Sequence, residues 1–325
     1  MSWQQTSAQR YAHPTMIQPA RAGLLYGLAA YGLWGLFPLF FLLFARSGAL
    51  EVVAHRALWS LVFCALLLTV LRQWDSVRVV LADRRTTAAL VAAGFLIVVN
   101  WSTYVFAVLT DRTLETALGY FINPLAVAAL GIFVLGERLR RLQWVAMGLG
   151  GASVAVMVGG YGEVPWTALL LATSFGLYSL VKKVAGRSVG ALPGLALETA
   201  AVAPLAVAYL AFLGATGASS ATLADGYGLL LVSTGIVTAV PLLLFAAAAR
   251  RVSMITIAIL QYLAPIGQFL LGWLVLHEPM PPVRWAGFAL VWAGVLVFVA
   301  DSLLTSRRAA SARRRLRREG GVGLP

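Results

Sequence analysis

Thr116-Ala-Leu-Gly-Tyr-Phe-Ile-Asn-Pro-Leu-Ala-Val-Ala-Ala-Leu-Gly-Ile-Phe-Val-Leu-Gly-Glu-Arg-Leu-Arg-Arg-Leu-Gln-Trp144 is the stretch on which the rest of the chain is read. It is an apolar run interrupted at Asn123-Pro124 and stopped at Gly136-Glu137. A short basic loop follows, and the apolar phase resumes at Trp144. A second copy stands 141 residues later: Pro124 falls on Pro265, Gly131 on Gly272, Leu135 on Leu276, Glu137 on Glu278 and Trp144 on Trp285. From Thr116 to Val154, eleven of thirty-nine positions are identical without a gap. Chance would give roughly a tenth in a chain this rich in Ala, Leu, Val and Gly. The sequence reads as a tandem duplication.

Working outward, the 325 residues are 60% hydrophobic and only 11% charged, where a soluble domain is nearer a quarter charged. Apolar runs of about 20 residues are long enough to cross a bilayer core as helix. They are continuous rather than alternating, which excludes a transmembrane β-barrel. The fold class expected is an all-α polytopic membrane protein of ten transmembrane helices. The spans read as Ala22–Ala45, Val52–Leu71, Thr87–Leu109, Ala117–Gly136, Leu142–Gly160, Trp166–Val181, Ala191–Leu213, Tyr227–Ala249, Ser253–Leu276 and Val283–Ala300. The net charge of +13 lies between the apolar runs and in the tail, which argues against nucleic-acid binding. Cys64, the single cysteine, is expected to be a small core residue. Residues 1–21 carry no short apolar segment with a cleavage site, so the first span is expected to carry the targeting information.

Arg and Lys in the connections orient the chain. With the N-terminus inside, twenty-one of the 25 basic residues lie in inside segments. Arg46, Arg56, Arg112 and Arg284 lie on or near the outside. Both termini are therefore expected in the cytoplasm, in a multi-pass protein of the inner membrane. The domains follow: an N-terminal arm at 1–21, a first repeat at 22–160, a second at 161–300, and a basic tail from 301 to 325 that is expected to be disordered beyond Ser306. Five spans per copy is an odd number, so the copies enter the membrane in opposite directions. The charges agree: Gly136-Glu-Arg-Leu-Arg-Arg141 is basic, while its counterpart His277-Glu-Pro-Met-Pro-Pro282 has lost every arginine. Inverted repeats of this kind are how many secondary carriers are built, with the site between the halves near the bilayer mid-plane.

Several motifs now resemble a known family. They are Tyr31-Gly-Leu-Trp-Gly-Leu-Phe-Pro38, Glu51-Val-Val-Ala-His-Arg56 with Trp59-Ser60, Asn100-Trp101, Leu118-Gly-Tyr-Phe-Ile-Asn-Pro124 with Gly136-Glu-Arg138, Ser174-Phe-Gly-Leu-Tyr178 and Gln261-Tyr-Leu-Ala-Pro265. Together they resemble the EamA family of the drug/metabolite transporter superfamily, over about residues 20–300. The resemblance implies ten helices in two EamA-type repeats, an inner-membrane location and transport of a small organic solute. It supplies no substrate.

Polar groups inside a bilayer are costly, so each needs a reason. Glu51, His55 and Trp59 share one face of the second helix, and Arg56 follows. They read either as a substrate or proton site or as an interfacial cluster in which Glu51 neutralises Arg56. Asn100, Trp101 and Tyr104 sit mid-span in the third helix. The amide serves either as glue between helices or as cavity lining. Tyr120 and Asn123 stand against Gln261 and Tyr262, with Gln268 extending the polar strip. Pro38, Pro124, Pro241 and Pro265 are expected kink positions. Glu198, placed opposite Glu51 at an offset of 147, reads as a coupling carboxylate or as the partner of Lys182 or Lys183. Glu137 and Glu278 read as turn residues. Gly148 and Ala152, with Ala289 and Ala293, allow close helix contact within the chain or at a homodimer face. Histidines 13, 55 and 277 are scattered and make no metal site, and no cofactor is implied.

The partners expected are a small-molecule substrate and the lipid bilayer. Lys182-Lys183 lacks the glycines of a P-loop, which argues against direct ATP hydrolysis. Proton coupling and uncoupled exchange both fit. The competing class is an integral membrane enzyme acting on a lipid or isoprenoid. It would need clustered acidic residues at the interface, and the twelve Asp and Glu are scattered. A scaffold or sensor has only the basic tail in its favour.

Overall fold

The computed structural model describes residues 17–136, 139–162, 164–185, 189–221 and 226–319. Every regular element among them is helical. In order they are α1 (Ile17–Leu42), α2 (Ala49–Val70), α3 (Trp74–Ala82), α4 (Arg84–Leu109), α5 (Thr113–Leu135), α6 (Arg141–Tyr161) and α7 (Trp166–Ala185). Then come α8 (Ala191–Ala215), α9 (Tyr227–Ala249), α10 (Met254–Leu260), α11 (Leu263–Leu270), a π-helical turn (Leu271–Val275) and α12 (Pro282–Glu319). Eight are long and apolar enough to cross a membrane: α1, α2, α4, α5, α6, α8, α9 and α12. The 20-residue α7 stands apart from these eight, as does the broken stretch of α10, α11 and the π-turn.

Three details depart from the sequence reading. The connection 72–86 holds a short helix, α3, which buries Val77 and Val80 and leaves Trp74 exposed. Nine residues are too few for a periodic pattern to stand out. The span expected at Ser253–Leu276 is not one helix. Pro265 has no N–H to return to the Gln261 carbonyl, and α10 ends at Leu260 before α11 begins at Leu263. Pro124, its counterpart, lies inside an unbroken α5, as do Pro38 in α1 and Pro241 in α9. The tail is not disordered as expected: α12 continues through it to Glu319. The arm before residue 17, with His13, and Glu137 and Arg138 lie outside the described residues.

The turn that ends the duplicated stretch recurs with different residues. Gly136 closes α5 with φ at 64°, and His277 adopts φ of 54° after the π-turn. The left-handed conformation suits glycine; a histidine there is strained, so the surrounding turn dictates it.

Neighbours in space come mostly from opposite halves of the chain. Helix α1 lies against α9 and α11, and α7 against α4 and α5. Helix α2 meets α8 and α9, α4 meets α8, and α6 runs along α12. Two cores result. One gathers Phe37, Phe41, Phe44, Trp101, Tyr104 and Leu231, with Cys64 buried in it as expected. The other gathers Phe121, Tyr262, Phe269 and Phe288. Gly148 faces open space, and Ala289 on α12 is exposed as well. The close α6–α12 approach therefore runs along another stripe than Gly148.

Candidate functional site

Arg56 is the eighth residue of α2 and is buried, at 4% exposure. Its Nε donates to Thr238 Oγ1 on α9 at 2.8 Å. Its guanidinium lies 4.0 Å from the Trp101 ring centre, 5.3 Å from Phe41 and 5.6 Å from Phe37. Four helices thus converge on one cation. A charge at the centre of a bilayer costs a few kcal/mol or more, and each ring contact returns about 0.5–2 kcal/mol. Among the described residues no carboxylate forms an ion pair with it.

Asn100, one residue before Trp101, is fully engaged. Its Nδ2 donates to the Leu171 carbonyl and to Ser174 Oγ on α7, both at 3.1 Å, and its Oδ1 accepts from the Tyr120 hydroxyl at 3.3 Å. It ties α4, α5 and α7 together. Aromatic rings run on from Arg56 in edge and tilted contacts: Phe41 to Tyr104 at 5.9 Å, Tyr104 to Tyr120 at 6.0 Å, Tyr120 to Phe175 at 6.2 Å and Phe175 to Tyr178 at 5.7 Å.

That ladder ends at Glu198, the eighth residue of α8. Its Oε1 accepts from Lys182 Nζ at 2.5 Å and its Oε2 from the Tyr178 hydroxyl at 3.1 Å. The α4 backbone comes against it: a Cβ on Gly94 would collide with the Glu198 carbonyl oxygen. Gly235, 141 residues on, meets the Trp59 backbone on α2 in the same way. Counted from the helix starts, Glu198 and Arg56 both stand eighth; at the 141-residue offset Arg56 falls on Leu197, one residue before Glu198, and Glu51 falls on Leu192.

Glu51 does not join Arg56. Its carboxylate accepts from Ser219 Oγ at 3.0 Å and from Ser220 N and Oγ at 2.8 Å each, which pins the segment after α8 to the start of α2. The proposed neutralisation of Arg56 by Glu51 is therefore absent. His55 accepts from Trp59 Nε1 at 3.3 Å, and its own Nε2 is buried without a partner among the described residues. Asn123 Oδ1 is likewise unpaired. Gln268 bridges three helices, accepting from Thr116 Oγ1 at 3.1 Å and donating to the Trp34 carbonyl at 3.2 Å. Tyr262 stacks on Phe121 at 6.4 Å, and Gln261 is half-buried at the helix break.

Glu278 is more than a turn residue. Both its oxygens cap α5 from the far half of the chain, taking the Thr113 N–H at 2.5 Å and the Leu114 N–H at 3.0 Å. Nearby, a cleft of about 240 Å³ opens among Arg112, Glu115, Met157, Pro279 and Arg284. It shares no lining residue with the Arg56 cluster.

Phe37, Phe41, Thr116 and Thr238 were not singled out from sequence. A threonine in an apolar helix gives no signal, since it usually bonds its own turn; Thr238 does that too, donating to Thr234 O. The two phenylalanines are indistinguishable in sequence from lipid-facing ones.

The model of the EamA-like transporter family matches residues 165–300. Protein RarD of Streptomyces exfoliatus is 50% identical over 89% of this chain and 91% of its own. Protein RarD of Escherichia coli is 38% identical over 89% of this chain and 97% of its own. The chain belongs to the EamA family. It is a membrane transporter rather than an enzyme, and the relatives named RarD span most of its length. The uncharacterized transporter YojE of Bacillus subtilis is 40% identical over 90% of this EamA chain and 98% of its own. A crystal structure 19% identical superposes with a TM-score of 0.53 over 85% of this chain and 96% of that one. That likeness concerns the fold alone.

Proposed function

We propose that this EamA chain is a secondary carrier that moves a small organic solute, drug or metabolite, across the cytoplasmic membrane by alternating access. In this reading α7 and the broken α10–α11 stretch join the eight long helices as ten spans, arranged as two inverted five-helix repeats with both termini in the cytoplasm. The single observation that carries it is an exchange of contacts at the 141-residue offset. A Cβ on Gly35 would stand 3.4 Å from the Gly267 Cα, and a Cβ on Gly176 would stand 3.8 Å from the Ala126 Cβ. Gly176 and Gly267 are the copies of Gly35 and Ala126, so each contact is the other with the halves exchanged. Such a frame has two equivalent ways to close around one site, which is what rocking between inward and outward states requires.

Arg56, Trp101 and Tyr104 belong to the substrate site in this reading, with Asn100 holding the helices around it and Glu198 beside it as the titratable group of the second half. The test is release from proteoliposomes loaded with a bacterial small-molecule extract, read by mass spectrometry. Specific compounds should leave vesicles holding the protein and stay in empty ones. Equal retention in both refutes the carrier. Topology is tested in a Cys64→Ala background carrying Leu139→Cys or Met280→Cys. A membrane-impermeant thiol reagent should label the two from opposite sides, and labelling from one side removes the inverted arrangement.

A further inference from the structure

The two halves treat their buried charges differently. Glu198, eighth in α8, has a counterion in Lys182 and a donor in Tyr178. Arg56, eighth in α2, has rings in their place: the residues 141 positions before Lys182 and Tyr178 are Phe41 and Phe37, and both lie against its guanidinium. Nε is bonded to Thr238, while the two terminal nitrogens have no hydrogen-bond partner among the described residues. Buried arginines are paired or stay costly. Here Glu198 has its counter-charge beside it, while Arg56 has no carboxylate against it among the described residues.

We propose that the transported solute supplies one, as a small monoanion whose carboxylate docks on Arg56 and whose flat apolar body lies among Trp101, Phe41, Phe37 and Tyr104. This rests on the carrier reading and narrows it to a substrate class. The guanidinium fork matches a carboxylate in two parallel bonds. A phosphate monoester brings nearly two charges and would leave one unbalanced. A cation would meet Arg56 with like charge, and a neutral solute would leave it uncompensated. The rings favour a flat partner, since aromatic faces stack.

Extract-loaded proteoliposomes test this with a second readout, the thermal shift of purified protein with benzoate, benzamide or benzylamine, which share a ring and differ in charge. Released compounds should be carboxylates with apolar bodies, and benzoate alone of the three should stabilise the protein. Arg56→Gln should cut release and benzoate affinity by about thirtyfold or more, the loss expected when one partner of a buried charge pair is removed. Arg56→Lys, which keeps the charge without the fork, should retain part of both. Release of neutral or cationic compounds, or release unchanged in folded Arg56→Gln, overturns the anion assignment and leaves the carrier standing. Benzoate binding that survives Arg56→Gln also overturns it. Wild-type vesicles that release nothing overturn both.

Discussion

The Ser153 hydroxyl donates to the Gly287 carbonyl at 2.7 Å where α6 runs along α12. Further along the same seam, a Cβ on Gly294 would stand 3.0 Å from the Ala146 carbonyl oxygen and 3.3 Å from Leu149 Cβ. Gly294 is the copy of Ser153, and Gly287 is the copy of Ala146, so these are one contact seen from each repeat. The seam has no spare volume at Gly294, whereas Gly148 has nothing within 4 Å. Gly294→Leu is expected to destabilise the protein by about 1–3 kcal/mol through overpacking. Gly148→Leu should leave the unfolding midpoint in detergent unchanged or slightly raised. Equal loss in both variants would mean that α6 and α12 meet elsewhere.

That seam illustrates what was legible in the sequence. Apart from the broken ninth span and the last, which runs on to Glu319, the apolar runs begin and end within about five residues of the helices observed. Long apolar runs leave little choice of element. Pairing between helices was less legible. Counting sets Glu198 opposite Glu51, yet the two carboxylates have unlike partners: Lys182 and Tyr178 for Glu198, Ser219 and Ser220 for Glu51. Partners of polar groups were hidden further still. Asn100 reaches α7 only because Ser174 and the Leu171 carbonyl face it, and a one-dimensional pattern carries no such distance. Pro265 and Pro124 look alike in sequence, and only one breaks its helix.

The Lys182–Glu198 pair should behave as a unit. Lys182 is 31% exposed at its side chain and Glu198 only 2%, so the two single losses are unequal. Lys182→Met leaves a buried carboxylate with only Tyr178 as donor, a change of about 3–5 kcal/mol for a fully buried pair and less here because Lys182 reaches solvent. Glu198→Gln keeps an acceptor for Tyr178 and should cost less. The double variant should be more stable than Lys182→Met alone. A thermal-unfolding cycle in which the two losses simply add would show that the pair is not coupled.

Asn100 and Arg56 should separate stability from transport. Asn100→Ala removes both links to α7 and leaves the Tyr120 hydroxyl buried without its acceptor, for about 1–2 kcal/mol. Asn100→Asp should cost more, because an acid would face the Leu171 carbonyl where an amide donated. Arg56→Gln removes a charge without a counterion, so its midpoint should hold or rise while release falls. Unfolding midpoints and vesicle release measured on the same preparations check this. If Asn100→Ala keeps its midpoint and loses release, then Asn100 acts on the solute itself rather than on the helices.

Glu278 should make the far end of the bundle sensitive to pH. Burial, the largest influence, raises its carboxyl above the ordinary carboxylate value. The bonds from Leu114 and Thr113 and the charge of Arg284 pull the other way without cancelling it. Arg112 and Glu115 line the neighbouring cleft. A raised folded value means the folded protein holds this proton more tightly than the unfolded chain. The contribution is therefore fully present below the ordinary carboxylate value and lost as pH rises through the raised one. Glu278→Gln cannot titrate, and it offers one acceptor oxygen to two backbone N–H groups. Wild type should thus exceed Glu278→Gln in thermal midpoint most at acidic pH, with the gap narrowing toward neutrality. In wild type, amide exchange at Thr113 and Leu114 should slow, relative to neighbouring amides, as the carboxylate ionises and accepts from both. A gap that widens with pH would mean the two capping bonds outweigh burial and hold Glu278 ionised throughout.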